Sequence, residues 1–299
     1  TIPVFDNSKG IPNFTILGVL GGGYAGTVTN NTKVTVDGNT FLHRVYGGGF
    51  GDPYKNDDNT TGQIGNSTSV HVQGGNIYGD VFGGGAGVAP KTVDGTPFIN
   101  VARVIGNTMV EISDNAKIYG KVYGGGDMAN VGPDNYTPIY TSKPSSNTHI
   151  KGDSGEIDYE KYKNPYVAEN YRSLVNIIGG DIFGSVFGGG KGLSKNQASE
   201  YEKVGRINGN TIVHIANTDA AHSISLDYEG NTVPYVWYNI YGGCAYGTVD
   251  GNTLVHIEGG MLGRNIFGGG YGDVAISNEN KDTEEVLGKL DINNEATYA

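Results

Sequence analysis

Gly106-Asn107-Thr108-Met109-Val110-Glu111-Ile112, followed by Ile118-Tyr119-Gly120-Lys121-Val122-Tyr123-Gly124-Gly125-Gly126, is one turn of a repeat. Its closing element, an apolar residue and three glycines, stands seven times in the 299 residues. The copies are Leu20–Gly23, Tyr46–Gly49, Phe82–Gly85, Tyr123–Gly126, Phe187–Gly190, Tyr241–Cys244 and Phe267–Gly270, with Cys244 replacing one third glycine. The opening element returns intact at Gly209–Ile215 and Gly251–Ile257, and in degenerate form at Asn31–Val36, Gly65–Val72 and Ser173–Ile177. The tightest spacings between triplets are 26 residues, from Gly21 to Gly47 and from Gly242 to Gly268. A unit of this length with three short β-runs fits one coil of a β-solenoid. It is too short for a propeller blade of about 40 residues and lacks the helical half of a leucine-rich repeat. The expected fold is all-β: a parallel β-helix of about seven rungs, right-handed by analogy with most single-chain β-helices.

Period-two alternation sets the inward columns. Val34/Val36, Val70/Val72, Val110/Ile112, Val175/Ile177, Val213/Ile215 and Val255/Ile257 each share one face. Asn107, Asn210 and Asn252 mark one corner, where stacked amides could bond from rung to rung. The triplet glycines are assigned to corners that require φ > 0.

Composition agrees with a turn-rich repeat. Gly accounts for 51 of 299 residues and Pro for only 10, excluding collagen and proline-rich linkers. The 20 Tyr and 9 Phe supply apolar surface that a disordered chain lacks. Net charge is −11 with no basic cluster, so neither nucleic acid nor an anionic membrane is an expected partner. No apolar run approaches the roughly 18 residues of a membrane span. A single cysteine, Cys244, excludes an intrachain disulfide and a Cys-based zinc site.

The strings VYGGGFGD (Val45–Asp52), NIYGDVFGGGAG (Asn76–Gly87) and GNTLVHIEGGMLGRNIFGGGYGDV (Gly251–Val274) resemble the repeats of very large surface proteins of Gram-negative gut anaerobes. The likeness covers most of the chain outside its insertions. It implies extracellular or cell-surface display and adhesion, and implies no catalytic activity.

Residues 1–299 read as a single repeat domain with insertions near 52–63, 88–103, 127–172, 191–206 and 217–237. The first four are expected to leave one corner and crowd onto one edge. The tail Leu290-Asp291-Ile292 copies Val110-Glu111-Ile112 and precedes no further triplet, so the segment is expected to belong to a longer array. Two aromatic groups are candidate ligand surfaces. Alternation places Tyr78 with Phe82, Tyr119 with Tyr123 and Phe183 with Phe187 on one outward stripe, suited to sugar rings or a second solenoid. The alternative is that Gly79, Gly120 and Gly184 are corners that reset the parity and turn some rings inward. Tyr159 and Tyr162 lead a tyrosine-rich group in the longest insertion.

No cofactor is assigned. Gly49–Asp52 and Gly270–Asp273 echo the calcium turns of nonapeptide β-rolls, but as isolated copies, leaving Ca²⁺ as the one ion considered. His71, His214 and His256 share an outward column with Thr35, Glu111 and Asn176 and read as a varied surface, so no metal ligands are named. No catalytic residues are assigned either, since neither a nucleophile elbow nor a metalloprotease motif occurs. The expected function is a structural or adhesive scaffold that associates with itself or with neighbouring repeats. A carbohydrate-binding module, contacting polysaccharide or a host surface, stands second. A polysaccharide lyase or hydrolase stands third.

Overall fold

The computed structural model describes residues 4–6, 11–13, 18–38, 40–52, 54, 60–93, 96–98, 101–133, 172–194, 204–217 and 232–272. Three parallel sheets run through the described rungs, as the repeat predicts. Six strands of five residues form the first: Thr32–Val36, Thr68–Val72, Thr108–Ile112, Ser173–Ile177, Thr211–Ile215 and Thr253–Ile257. They pair in register, so that Val34, Val70, Val110, Val175, Val213 and Val255 form one column. A middle sheet stacks six two-residue strands from Phe41–Leu42 to Met261–Leu262. An aromatic sheet stacks seven more, from Val19–Leu20 to Ile266–Phe267. Two columns of single bridges complete each coil. One passes through Tyr24, Phe50, Ala86, Asp127, Lys191, Ala245 and Tyr271, the other through Val28, Ile64, Val104, Val131, Ile207 and Val249.

The alternating aliphatic residues of the long strands meet Ile77, Ile118, Ile182 and Val236 of the middle sheet and Val45, Val81, Val122, Val186 and Ile240 of the aromatic sheet in one core. Ile64, Val104, Val131, Ile207 and Cys244 form a second core beneath the glycine turn. Threonine ties the two ends of a coil together. The Thr211 hydroxyl donates to the Gly242 carbonyl at 2.6 Å and Ser173 to Gly188 at 2.6 Å, while Thr32 and Thr68 donate likewise to Gly47 and Gly83. In these four rungs a buried strand-end hydroxyl is matched to a glycine carbonyl, whereas the equivalent Thr108 hydroxyl is buried without such a bond.

The triplets serve a purpose different from the expected one. None of their described glycines has positive φ; Gly38, Gly62, Gly75, Gly132, Gly180 and Gly205 are among the glycines that do. What excludes a side chain is the neighbouring rung. A Cβ on Gly47, Gly83 or Gly188 would lie less than 3.0 Å from the carbonyl oxygen of Gly83, Gly124 or Gly242 respectively. The corner asparagines also differ from the amide ladder expected of them. Asn210 Oδ1 accepts from the backbone amide of Asn252 at 2.9 Å, and Asn31 Oδ1 from that of Ser67 at 3.0 Å. Each side chain caps the strand of the next rung.

Register also relocates one insertion. Tyr24 and Val28 lie four residues apart, whereas 52–63, 88–103 and 191–206 are inserted between the corresponding bridge positions of their rungs. Asp127 and Val131 keep the four-residue spacing, so the longest insertion leaves after Val131, one corner later than expected. Three insertions, not four, share a corner. Two of these meet where Lys91 Nζ sits 4.1 Å from the Tyr54 ring centroid.

Candidate functional site

The single outward stripe expected from alternation becomes two ladders. Tyr46, Phe82, Tyr123, Phe187, Tyr241 and Phe267 stack ring on ring with centroids 4.7–5.0 Å apart. That distance is the strand spacing itself, so backbone register alone brings the rings into contact. This ladder is buried: Phe82 is 0% exposed and Tyr123 2%. The outward assignment of Phe82, Tyr123 and Phe187 is therefore corrected. Gly79, Gly120 and Gly184 interrupt the alternation, and Val81 with its equivalents also turns inward, to the aliphatic core.

Tyr78, Tyr119, Phe183 and Trp237 form the second ladder, with centroids 4.9, 4.9 and 5.4 Å apart. It does lie at the surface, Tyr119 being 42% and Trp237 44% exposed. Its faces are nevertheless occupied by the rings above and below, which leaves edges toward solvent. A sugar ring needs an aromatic face, so this ladder offers a poor platform along its length. Tyr159 and Tyr162 lie outside the described residues.

A groove of about 540 Å³ opens instead above the buried ladder in the later rungs. Tyr123, Phe187 and Tyr241 line its floor. Lys121, Ser185 and Asn239, each two residues before a floor aromatic, form one wall. Lys191, Ala245 and Tyr271 of the first bridge column form the other. Arg264 stacks on Tyr238 at 4.5 Å from the ring centroid, and both border the groove. The volume lies in the range of small-ligand clefts, and the lining combines aromatic edges with converging donors and acceptors. Sequence reasoning missed Asn239, Tyr238 and Arg264, although their positions relative to the triplets were visible in the repeat.

One ion pair and one backbone contact engage carboxylates beside the groove. Lys191 Nζ lies 3.0 Å from Asp127 Oδ1, and Asp80 Oδ1 accepts from the Lys121 backbone amide at 2.8 Å. Burial, then the charges of Asp80 and Asp127, push the Tyr123 phenol above its usual range. Burial and then Asp127, opposed by Arg44, push Tyr46 up to about 12. These hydroxyls therefore remain neutral donors at physiological pH. Asparagine Nδ2 of residue 239 donates to Tyr241 Oη at 3.0 Å at the groove edge.

The remaining candidates fall elsewhere. Asp52, in the calcium-like turn, accepts from Tyr24 Oη at 2.7 Å and from the Tyr54 amide at 2.9 Å, so its carboxylate is already engaged. Asp273 lies outside the described residues. Cys244 is 2% exposed within the second core, and burial pushes its thiol up to about 12. The outward histidine column is connected. His71 Nδ1 lies 3.2 Å from Glu111 Oε1, Asn176 Nδ2 donates to Glu111 Oε2 at 2.9 Å, and His214 Nδ1 meets Asn176 Oδ1 at 2.7 Å. Among the described residues, no helix is long and apolar enough to cross a membrane. Comparison with protein-family models, curated proteins and solved structures finds no match, so the fold and the groove carry the functional reading alone.

Proposed function

We propose that this chain is a stretch of an extracellular or cell-surface scaffold, a rod that displays loops and adheres through them or through neighbouring repeats. The observation that supports this reading is the tolerance of the ladder. Long strands remain in register from Thr32–Val36 to Thr253–Ile257 while corners absorb insertions of very different length. Loop closure cost grows only slowly with length, by about 0.6 kcal/mol per doubling, so such a rod can exchange its loops without losing its core. Protease treatment of intact producing cells tests display. Cleavage within the insertions before lysis is the expected result; protection until lysis would remove the surface reading. Negative-stain electron microscopy at high concentration tests assembly, with end-to-end rods expected and dispersed single particles opposing it.

A second reading, carbohydrate binding, is favoured by the groove rather than by the exposed ladder. Its aromatic floor, Asn239, Ser185 and the tyrosine hydroxyls suit a hydroxyl-rich ligand. Affinity electrophoresis through a panel of polysaccharides should then show retardation that is lost in Tyr238→Ala/Asn239→Ala. Unchanged mobility in every glycan would remove this reading and leave the scaffold intact.

A further inference from the structure

His214 and His256 are paired in register on the outward face of the long-strand sheet, with ring centroids 5.6 Å apart. Glu258 lies two residues after His256, and its backbone amide continues the ladder by donating to Ile215 O at 2.8 Å. This places the carboxylate beside both rings. Glu258 Oε2 is 2.9 Å from His214 Nε2, and Oε1 is 3.8 Å from His256 Nε2. One ligand atom from each of the three residues lies within 4.8 Å of the others.

Hydrogen bonding determines which nitrogen of His214 is basic. The Glu111 carboxylate only accepts, so the Asn176 amide faces it through Nδ2, at 2.9 Å. Asn176 Oδ1 then faces His214 Nδ1 at 2.7 Å, and this nitrogen must carry the proton. The lone pair of neutral His214 is consequently on Nε2 and points at a carboxylate oxygen 2.9 Å away. A cation bound beside these two acceptors would satisfy both of them.

We propose that His214 Nε2, His256 Nε2 and a Glu258 carboxylate oxygen form a binding site for a zinc-class divalent transition metal that clips two successive rungs together. Ligands about 2.1 Å from a tetrahedral ion lie roughly 3.4 Å from one another; the two Glu258 oxygens stand 2.9 and 3.8 Å from His214 Nε2 and His256 Nε2, and one ligand atom from each residue lies within 4.8 Å of the others. The Asn176 oxygen holding His214 Nδ1–H is the kind of outer contact that orients a metal-bound imidazole. Two nitrogens and one oxygen suit zinc, cobalt or nickel, whereas calcium needs six or more oxygens. Glu258 is half exposed, so a fourth position is open to water. The clip closes the chain between residues 214 and 256, where it should oppose local opening of the Thr253–Ile257 rung.

Cobalt titration of the full chain tests this, after EDTA treatment and without a polyhistidine tag. The expected result is one Co²⁺ per chain with visible absorption bands, displaced by Zn²⁺ and unaffected by Ca²⁺. Glu258→Gln and His256→Ala, both at accessible positions, should each weaken binding at least about tenfold. Zinc should also slow amide exchange in Thr253–Ile257 of the parent and leave it unchanged in both variants. Binding weaker than about 1 mM would overturn the proposal. Equal affinity in the variants would overturn it too, by placing the ion on other histidines.

Discussion

Replacing Gly83 by alanine adds one methyl group at a point where the next rung is already in contact. The new Cβ would lie less than 3.0 Å from Gly124 O, a backbone atom that cannot turn away. Reaching ordinary van der Waals separation requires the two rungs to part locally by about 1 Å. The bonds from Gly83 N to Tyr123 O, at 2.9 Å, and from Gly84 N to Gly125 O, at 3.0 Å, would then stretch beyond useful range. The Phe82–Tyr123 stack, with centroids 4.7 Å apart, opens with them. Two lost hydrogen bonds at about 1 kcal/mol each and a weakened ring pair at about 1 kcal/mol sum to roughly 3 kcal/mol. Hydrogen exchange is the suitable assay, since a stacked array opens locally and one global unfolding energy would blur the effect. Exchange of the Gly83 and Gly84 amides should accelerate roughly 100-fold in Gly83→Ala. Acceleration of less than about threefold in Gly83→Ala would refute the crowding argument and return the triplets to a conformational role.

Three further outcomes follow from the packing and the buried groups. Phe82→Ala should cost about 3–5 kcal/mol in thermal or denaturant unfolding, and Tyr119→Ala only about 1, because one ladder is buried and the other presents edges to solvent. Similar losses would contradict the assignment of the two ladders. Tyr46 should make the fold alkali-sensitive. Its unfolded pKa is about 10 and its folded value about 12, so its contribution is complete below pH 10 and lost as pH rises to 12, amounting to about 3 kcal/mol. Tyr46→Phe should flatten the fall of stability between those pH values, and an unchanged slope would count against the burial assigned to the phenol. Cys244 should resist an aromatic disulfide reagent at pH 8 in the native chain and react fully once unfolded, since burial holds the thiol at about 12. Rapid native labelling would show that the second core opens.

The coil and its aliphatic columns were legible because they depend on local alternation. Val110 and Ile112 announce their shared face from their spacing alone, and register carries that face to Val175 and Ile177. The aromatic stripe failed where alternation stops being local: Gly120 bends the chain between Tyr119 and Tyr123, so counting by twos does not carry across it. The role of the triplets was hidden for another reason. Gly83 is constrained by Gly124, on the next rung, and no short window of sequence contains both. The cluster at Glu258 was missed similarly, because His214 and His256 were weighed as a column without the acidic residue beyond the strand end. The groove required knowing that residues two before each ring and those following each triplet flank the same floor.

The chain contains one tryptophan, and the exposed ladder ends on it among the described residues: Tyr78, Tyr119 and Phe183 stack in sequence beneath Trp237. Such a stack is an optical antenna. Light absorbed by Tyr78 and Tyr119 passes in part along this stack to the indole, so exciting these two rings adds to tryptophan emission from the intact coil. Loosening of the rungs between Tyr119 and Trp237 would restore tyrosine emission without a fluorescent label, making the coil its own reporter of integrity.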